Sequence, residues 1–381
     1  MAKLMETWEG ANLKRSLLRG IYSLGFEHPS PIQQQAILPI LEGTDVLAQA
    51  QSGTGKTGAF SIAMLERCSD EEPTAQAIML APTRELASQI NSVVKSLACQ
   101  TAFRTQLLVG GTSVDRDIRD IRENKPQIFV GCPGRVLDFL HRRVFDTTTL
   151  RMIVLDEADE ILSAGFVDQL QQIFQFISDS VQVVMFSATI PTELHRVIDK
   201  IMRDPIKILV KNELMTLEGI SQFYISLPSD NEKISTLKDL YESLSVSQSI
   251  IYCNSVRRVI ELYDALRQEN FPVVCIHSDM ERDQRTTSYN EFKSGKYRVL
   301  ISTNVTARGI DVQQVSVVIN FDIPTCETYL HRIGRSGRWG RKGVGINFVT
   351  KYDVDKMRAI EKHYATEIKE FPLDYATLFN A

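Results

Sequence analysis

The chain has 381 residues, 43% of them hydrophobic and 24% charged, which is more than one hydrophobic core usually holds and excludes a disordered polymer. Its 43 basic and 47 acidic side chains give a net charge of −4, so no polybasic tail exists and any basic groove must be local. Six scattered cysteines without Cys-x-x-Cys spacing suit small buried thiols in a reducing compartment, and no apolar run approaches the ~18 residues that span a bilayer. The opening "MAKLMETWEG" lacks an apolar signal core, so an intracellular soluble protein is expected.

In chain order, "DVLAQA" (45–50) reads as a buried strand, followed by "AQSGTGKT" (50–57) and a helix opening at "GAFSIAMLERC". That middle segment fits a phosphate loop, with Ala50 in place of the first glycine. In the run Ser52-Gly53-Thr54-Gly55, the glycines let backbone N–H groups curl around an anion at a helix N-terminus. Lys56 adds a positive charge for the β- and γ-phosphates, and the Thr57 hydroxyl suits Mg²⁺. The competing reading is a Gly-rich turn that only caps a helix.

The strands "AIMLAP", "TQLLVG", "QIFVGC" and "MIVLDEA" come next, separated by helical patterns such as "TRELASQINSVVKSL". Asp156, Glu157 and Asp159 crowd the end of "MIVL", a costly place for carboxylates. A phosphate site accounts for them: Asp156 would hold the magnesium through a bound water, and Glu157 would orient and deprotonate an attacking water. A charge pair that caps the following helix is the bland alternative.

"VVMFSAT", the helix "IPTELHRVIDKIM" and "IKILV" close the first series. The pattern pauses at "KNELMTLEGIS" and resumes with the strands "SIIYCNS", "VVCIHS", "RVLIST", "SVVINF" and "GINFV". The expected architecture is two α/β domains, 1–210 and 220–381, joined by a linker at 211–219, each a parallel sheet flanked by helices.

Taken in order, these motifs resemble the DEAD-box ATP-dependent RNA helicases, from about Trp8 to the C-terminus. The resemblance implies two tandem RecA-like domains, ATP with Mg²⁺ as cofactors, and hydrolysis to ADP and phosphate coupled to local opening of short RNA duplexes. "GFEHPSPIQ" (25–33) is similar to the adenine-reading segment, in which Gln33 would bond the base edge and Phe26 would support the segment. Trp8 stands at the family's isolated upstream aromatic and would stack on the adenine. Pro82, Thr83, Arg84, Gly110, Gly111, Pro133, Gly134 and Arg135 match first-domain RNA contacts, made to the backbone with little sequence preference. Ser187 and Thr189 of "SAT" match the link between ATP state and RNA grip.

In the second half, "HRIGRSGR" (331–338) resembles the arginine-finger element. Arg335 and Arg338 would sit on one side of a helical turn and point at the γ-phosphate, and His331 would pair with "SAT". "TARGID" (306–311) is similar to the segment whose Asp311 contacts the ribose, with Thr303, Gly309 and Arg285 near RNA. Three positions depart from the family pattern: Cys132 for Thr, Asn304 for Asp and Arg282 for Gln.

"AQAQSGTGKT", "LDEADEIL" and "INFVT" look most like the translation-initiation factor four-A group, whereas "HRIGRSGRWGRKG" is closer to its nuclear relatives. The expected role is therefore in translation initiation, with an ATP-gated RNA clamp of exon-junction type or a ribosomal-RNA-processing helicase as alternatives. Single-stranded RNA, a scaffold protein of initiation-factor or exon-junction type, a monomeric state and a cytoplasmic or nuclear location complete the expectation.

Overall fold

The structure, a computed structural model, describes residues 4–50, 54–209, 220–243, 248–306, 315–336 and 343–372. The chain divides into two compact units, Met1–Met215 and Thr216–Ala381.

The first unit is built on a seven-stranded parallel sheet: β1 (Val46–Gln49), β2 (Ala77–Leu80), β3 (Thr105–Leu108), β4 (Ile128–Gly131), β5 (Met152–Leu155), β6 (Gln182–Ser187) and β7 (Ile206–Leu209). Its strand order is β3-β4-β2-β5-β6-β1-β7. Both faces are apolar, as a parallel sheet covered on both sides requires. Val46, Ala48, Met79, Val130, Val154 and Phe186 enter one core, and Leu47, Ile78, Phe129, Ile153 and Met185 enter the other. Helices α1 (Arg15–Ser23), α2 (Pro31–Leu41), α3 (Lys56–Arg67), α4 (Arg84–Leu97), α5 (Val114–Asn124), α6 (Pro133–His141), α7 (Ala158–Ser163), α8 (Val167–Gln175) and α9 (Thr192–Ile201) surround it. The start of α2 shows the local logic: Pro31 stands at its first turn, and Ser30 with Gln33 forms a capping box.

Close approach fixes one glycine. A Cβ on Gly20 in α1 would lie 2.0 Å from the Leu97 carbonyl oxygen at the end of α4. Gly20→Ala is expected to lose about 1–3 kcal/mol in chemical denaturation, the overpacking outweighing alanine's better helix propensity. A variant as stable as the parent would place that backbone contact elsewhere.

The second unit repeats the plan with β8 (Ile220–Ser226), β9 (Gln248–Tyr252), β10 (Val273–Ile276), β11 (Val299–Ser302), β12 (Val315–Asn320), β13 (Gly343–Val349) and β14 (Lys369–Glu370), in the order β10-β11-β9-β12-β13-β8-β14. Its helices are α10 (Lys233–Ser243), α11 (Val256–Gln268), α12 (Arg282–Lys293), α13 (Cys326–Ile333) and α14 (Val354–Tyr364). The sequence reading had no strand at β8 or β14. Ser221, Gln222 and Ser226 dilute the apolar run of β8, and β14 is only two residues long. No helix among the described residues is long and apolar enough to cross a membrane.

Candidate functional site

In an open parallel sheet, ligands gather outside the carboxyl ends of the strands. The loop after β1 and the acids after β5 both lie there, with β6 between the two strands. Ser52 and Gly53 lie outside the described residues. Gly55 has φ +96°, a conformation that side-chain-bearing residues adopt only with strain, and it caps α3, whose first residues are Lys56 and Thr57.

Lys56 is buried, and its Nζ donates to Glu157 Oε1 at 3.0 Å and lies 4.0 Å from Asp156 Oδ1. Burial disfavours the ammonium, but Glu157 and Asp156 outweigh it, so the Lys56 pKa is raised. Burial pushes the Asp156 carboxyl up to about 7 despite the pull of Lys56. Glu157 sits at φ +51°, strained for a non-glycine residue, and its N–H donates to Asp156 Oδ1 at 3.0 Å. Two buried acids thus share one buried lysine, with the buried Asp159 nearby.

That shortage of positive charge is what a hard cation with oxygen ligands would correct. Asp156 and the half-buried Thr57 offer the oxygens. Among the described residues no group of three or more His, Cys, Asp or Glu could hold a metal alone, so phosphate and water would complete the shell.

Asp159 ties this corner to the "SAT" segment, a link that sequence reading missed although Asp159 is itself the last letter of the motif. Its Oδ2 accepts from Thr189 N at 3.2 Å and Thr189 Oγ1 at 2.8 Å. Its N–H donates to Ser187 Oγ at 3.2 Å, and that hydroxyl donates to the Thr189 carbonyl at 2.6 Å. Ser187 and Thr189 are therefore hydrogen-bonded to the carboxylate cluster.

The upstream segment lies against the loop. Gln33 Nε2 donates to the Gly55 carbonyl at 3.1 Å, while its Oε1 accepts from Ser30 N at 2.8 Å. A Cβ on Gly58 would lie 2.6 Å from Gln33 Nε2 and 3.3 Å from the Phe26 ring. The expected part of Trp8 needs correction. Its indole is 1% exposed in the core and donates to the Phe26 carbonyl at 2.9 Å, so no ring face is free for stacking. Trp8 packs beneath the segment, and the half-buried Phe26 is the ring beside the loop.

The expected RNA residues of the first unit lie at the ends of β2, β3 and β4, which are neighbours. Pro82 is buried, and Thr83 Oγ1 accepts from Leu86 N at 3.2 Å to cap α4. Arg84 is exposed and lies along Gly110, where a Cβ would come within 3.1 Å of its guanidinium. Gly111 and Gly134 are exposed, and Pro133 opens α6. Cys132 caps that helix without a side-chain hydrogen bond, and burial pushes its thiol up to about 12.

Arg135 departs from expectation. Its Nη1 donates to Asp117 Oδ2 at 3.0 Å and Thr112 Oγ1 at 3.1 Å, and its Nη2 to the Thr112 carbonyl at 3.1 Å. The guanidinium braces the turn after β3, and its charge is already matched by a largely buried carboxylate. Asp117 and Thr112 are missing from the sequence reading because nothing in their spacing marks them.

In the second unit, His331 and Arg335 are buried, and Arg335 Nε donates to the His331 carbonyl at 3.2 Å. α13 ends at Ile333, and Arg335 and Ser336 follow in a turn of i to i+3 backbone bonds, so Arg335 lies beyond the α-helix proper. Thr303 is half-buried after β11, and Arg285 is half-buried on α12. Gly309, Asp311, Arg338 and the 211–219 linker lie outside the described residues.

Two parallel seven-stranded sheets of one strand order are the architecture of tandem RecA-like proteins. The DEAD/DEAH box helicase family matches residues 30–197, and the helicase conserved C-terminal domain matches 232–340. The chain belongs to the DEAD-box family of ATP-dependent RNA helicases. It is 52% identical to the "ATP-dependent RNA helicase eIF4A" of Saccharomyces cerevisiae, over 99% of this chain and 95% of that one. Against the protein of the same name in Aspergillus fumigatus it is 51% identical, covering 99% and 93%. The solved structure of S. cerevisiae Dbp5 bound to RNA and ADP BeF3 superposes with a TM-score of 0.90 at 35% identity, covering 98% and 97%.

Proposed function

We propose that the chain is an RNA-stimulated ATPase that opens short RNA duplexes locally, and that it serves translation initiation in the cytoplasm. Its two domains would be 1–210 and 220–381, hinged at 211–219. The buried Lys56, Asp156 and Glu157 at the strand ends carry this reading, because two adjacent buried carboxylates on one buried lysine have little structural use without a charged ligand. The eIF4A relatives favour translation initiation over the exon-junction and ribosomal-RNA alternatives.

ATP would enter with its triphosphate along the loop Ser52 to Thr57. Lys56 would exchange Glu157 for phosphate oxygens, which frees that carboxylate. Gln33 uses one N–H and one lone pair on Gly55 and Ser30, leaving one of each for the donor and acceptor of adenine. Phe26 would cover the base, and Asp311 would take the ribose. Glu157 would remove the proton from a water whose oxygen bonds the γ-phosphorus as the bond to the bridging oxygen breaks, giving ADP and phosphate. Asp156 and Thr57 would hold Mg²⁺, which supplies charge neutralisation on the β- and γ-phosphates when bound. Arg335 and Arg338 would arrive from the second domain to stabilise the transition state, with His331 meeting Ser187 and Thr189.

Single-stranded RNA would lie across the strand ends at Thr83, Arg84, Gly110, Gly111, Pro133, Gly134, Arg285, Thr303 and Gly309, held through its backbone. Closing both domains on a bent strand displaces the complementary one, and phosphate release reopens them. A monomer docking on an initiation-factor scaffold fits this cycle. RNA should raise the steady-state ATPase rate at least tenfold, since RNA completes the closed site. A rate indifferent to saturating RNA would count decisively against this reading.

A further inference from the structure

The two sheets share one strand order when read from the β3 and β10 edges. The turn after β11 therefore holds the place that Cys132–Arg135 holds after β4, and the residues after β9 hold that of Pro82–Arg84 after β2. In the first unit the largely buried guanidinium at this end, Arg135, is matched by the Asp117 carboxylate, whereas Arg84 is exposed.

In the second unit, no carboxylate oxygen among the described residues bonds the corresponding guanidinium. Arg332 on α13 is fully buried and donates to Asn304 Oδ1 at 2.8 Å, Asn254 Oδ1 at 2.7 Å, Asn320 Oδ1 at 3.3 Å and the Asp322 backbone carbonyl at 3.0 Å. Every one of these acceptors is neutral. The Asp322 carboxylate serves Arg258 at 2.9 Å and Lys233 at 3.2 Å instead. Those two cations also meet Asp230, so among the described residues three cations face two carboxylates. Burial pulls the Arg332 guanidinium down to about 10, which still leaves it charged at neutral pH.

Asn304 is exposed and directly follows Thr303. A guanidinium can only donate, so it holds the amide by its oxygen and turns the Nδ2 donors away from itself. An acid in this position would also bond Arg332, but it would cancel that charge and offer an incoming phosphate only acceptors. An amide does the opposite on both counts.

We propose that Asn304, oriented from behind by Arg332, is an RNA-phosphate contact of the second unit, its amide donors backed by a positive charge that no carboxylate oxygen among the described residues bonds. This inference rests on the RNA-helicase reading above.

The full chain, saturated with a non-hydrolysable ATP analogue, is titrated against an end-labelled oligouridine by fluorescence anisotropy. Asn304→Asp is expected to raise Kd about tenfold, the scale of one charge-assisted hydrogen bond. Its melting temperature should be unchanged or higher, because the new carboxylate gives Arg332 a charged partner. Asn304→Ala, which removes the donors and keeps the charge, should fall between parent and Asp. An Asp variant that binds as tightly as the parent overturns the proposal, as does weaker binding accompanied by a lower melting temperature. An Ala variant weaker than the Asp variant would overturn it too. A parent chain that fails to bind the oligonucleotide at all strikes the helicase reading instead.

Discussion

Glu157→Gln is expected to lower kcat for ATP hydrolysis by ~10²–10⁴, the usual worth of a general base, while ATP still binds. The amide keeps the shape of the carboxylate but cannot take the proton from the attacking water. Lys56 keeps Asp156 beside it, at 4.0 Å, so the loop should hold its form. The variant should therefore accumulate with ATP and single-stranded RNA bound, visible as a stable complex in a filter-binding assay and as a slowed single-turnover rate. If the loss is under about tenfold, the base lies elsewhere and the strained backbone at Glu157 has another purpose.

Arg335→Ala should be the more severe loss, ~10³–10⁵ in kcat, because an arginine on the γ-phosphate acts on charge that develops only in the transition state. ATP affinity should change far less, since the phosphate loop and Gln33 belong to the other unit. The split between kcat and ATP binding is the informative measurement. Equal damage to both would mean that Arg335, which is 4% exposed, supports the fold of its own unit rather than the reaction. A variant that turns over at the parental rate would remove the arginine from the mechanism.

Local chemistry was legible in the sequence wherever it is contiguous. Apolar runs of four to six residues gave twelve of the strands, and the loop and acids could be read because spacing along the chain nearly equals spacing in the site. What failed was burial and partnership. Trp8 looked like an available ring, yet its 1% exposure depends on the packing of α1, α2 and α3, which no single position reports. Arg135 looked like a free cation because Asp117 lies 18 residues away and meets it only once α5 and α6 are placed. Arg332 gathers side chains from the segments after β9 and β11 and the end of β12, so only the folded sheet reveals that its partners are amides. β8 was hidden for a related reason: Gln222 is buried and polar because Tyr329 and Thr366 meet it.

The last strand carries a consequence for handling the molecule. β14 is only Lys369 and Glu370, and it pairs with Phe223 and Tyr224 in the middle of the seven-residue β8. A bare flank of that length is a template on which a neighbouring chain can lay its own backbone, whereas two charged residues make a poor one. Shortening the chain ahead of this stub is therefore expected to bare the middle of β8 and to trade solubility for self-association.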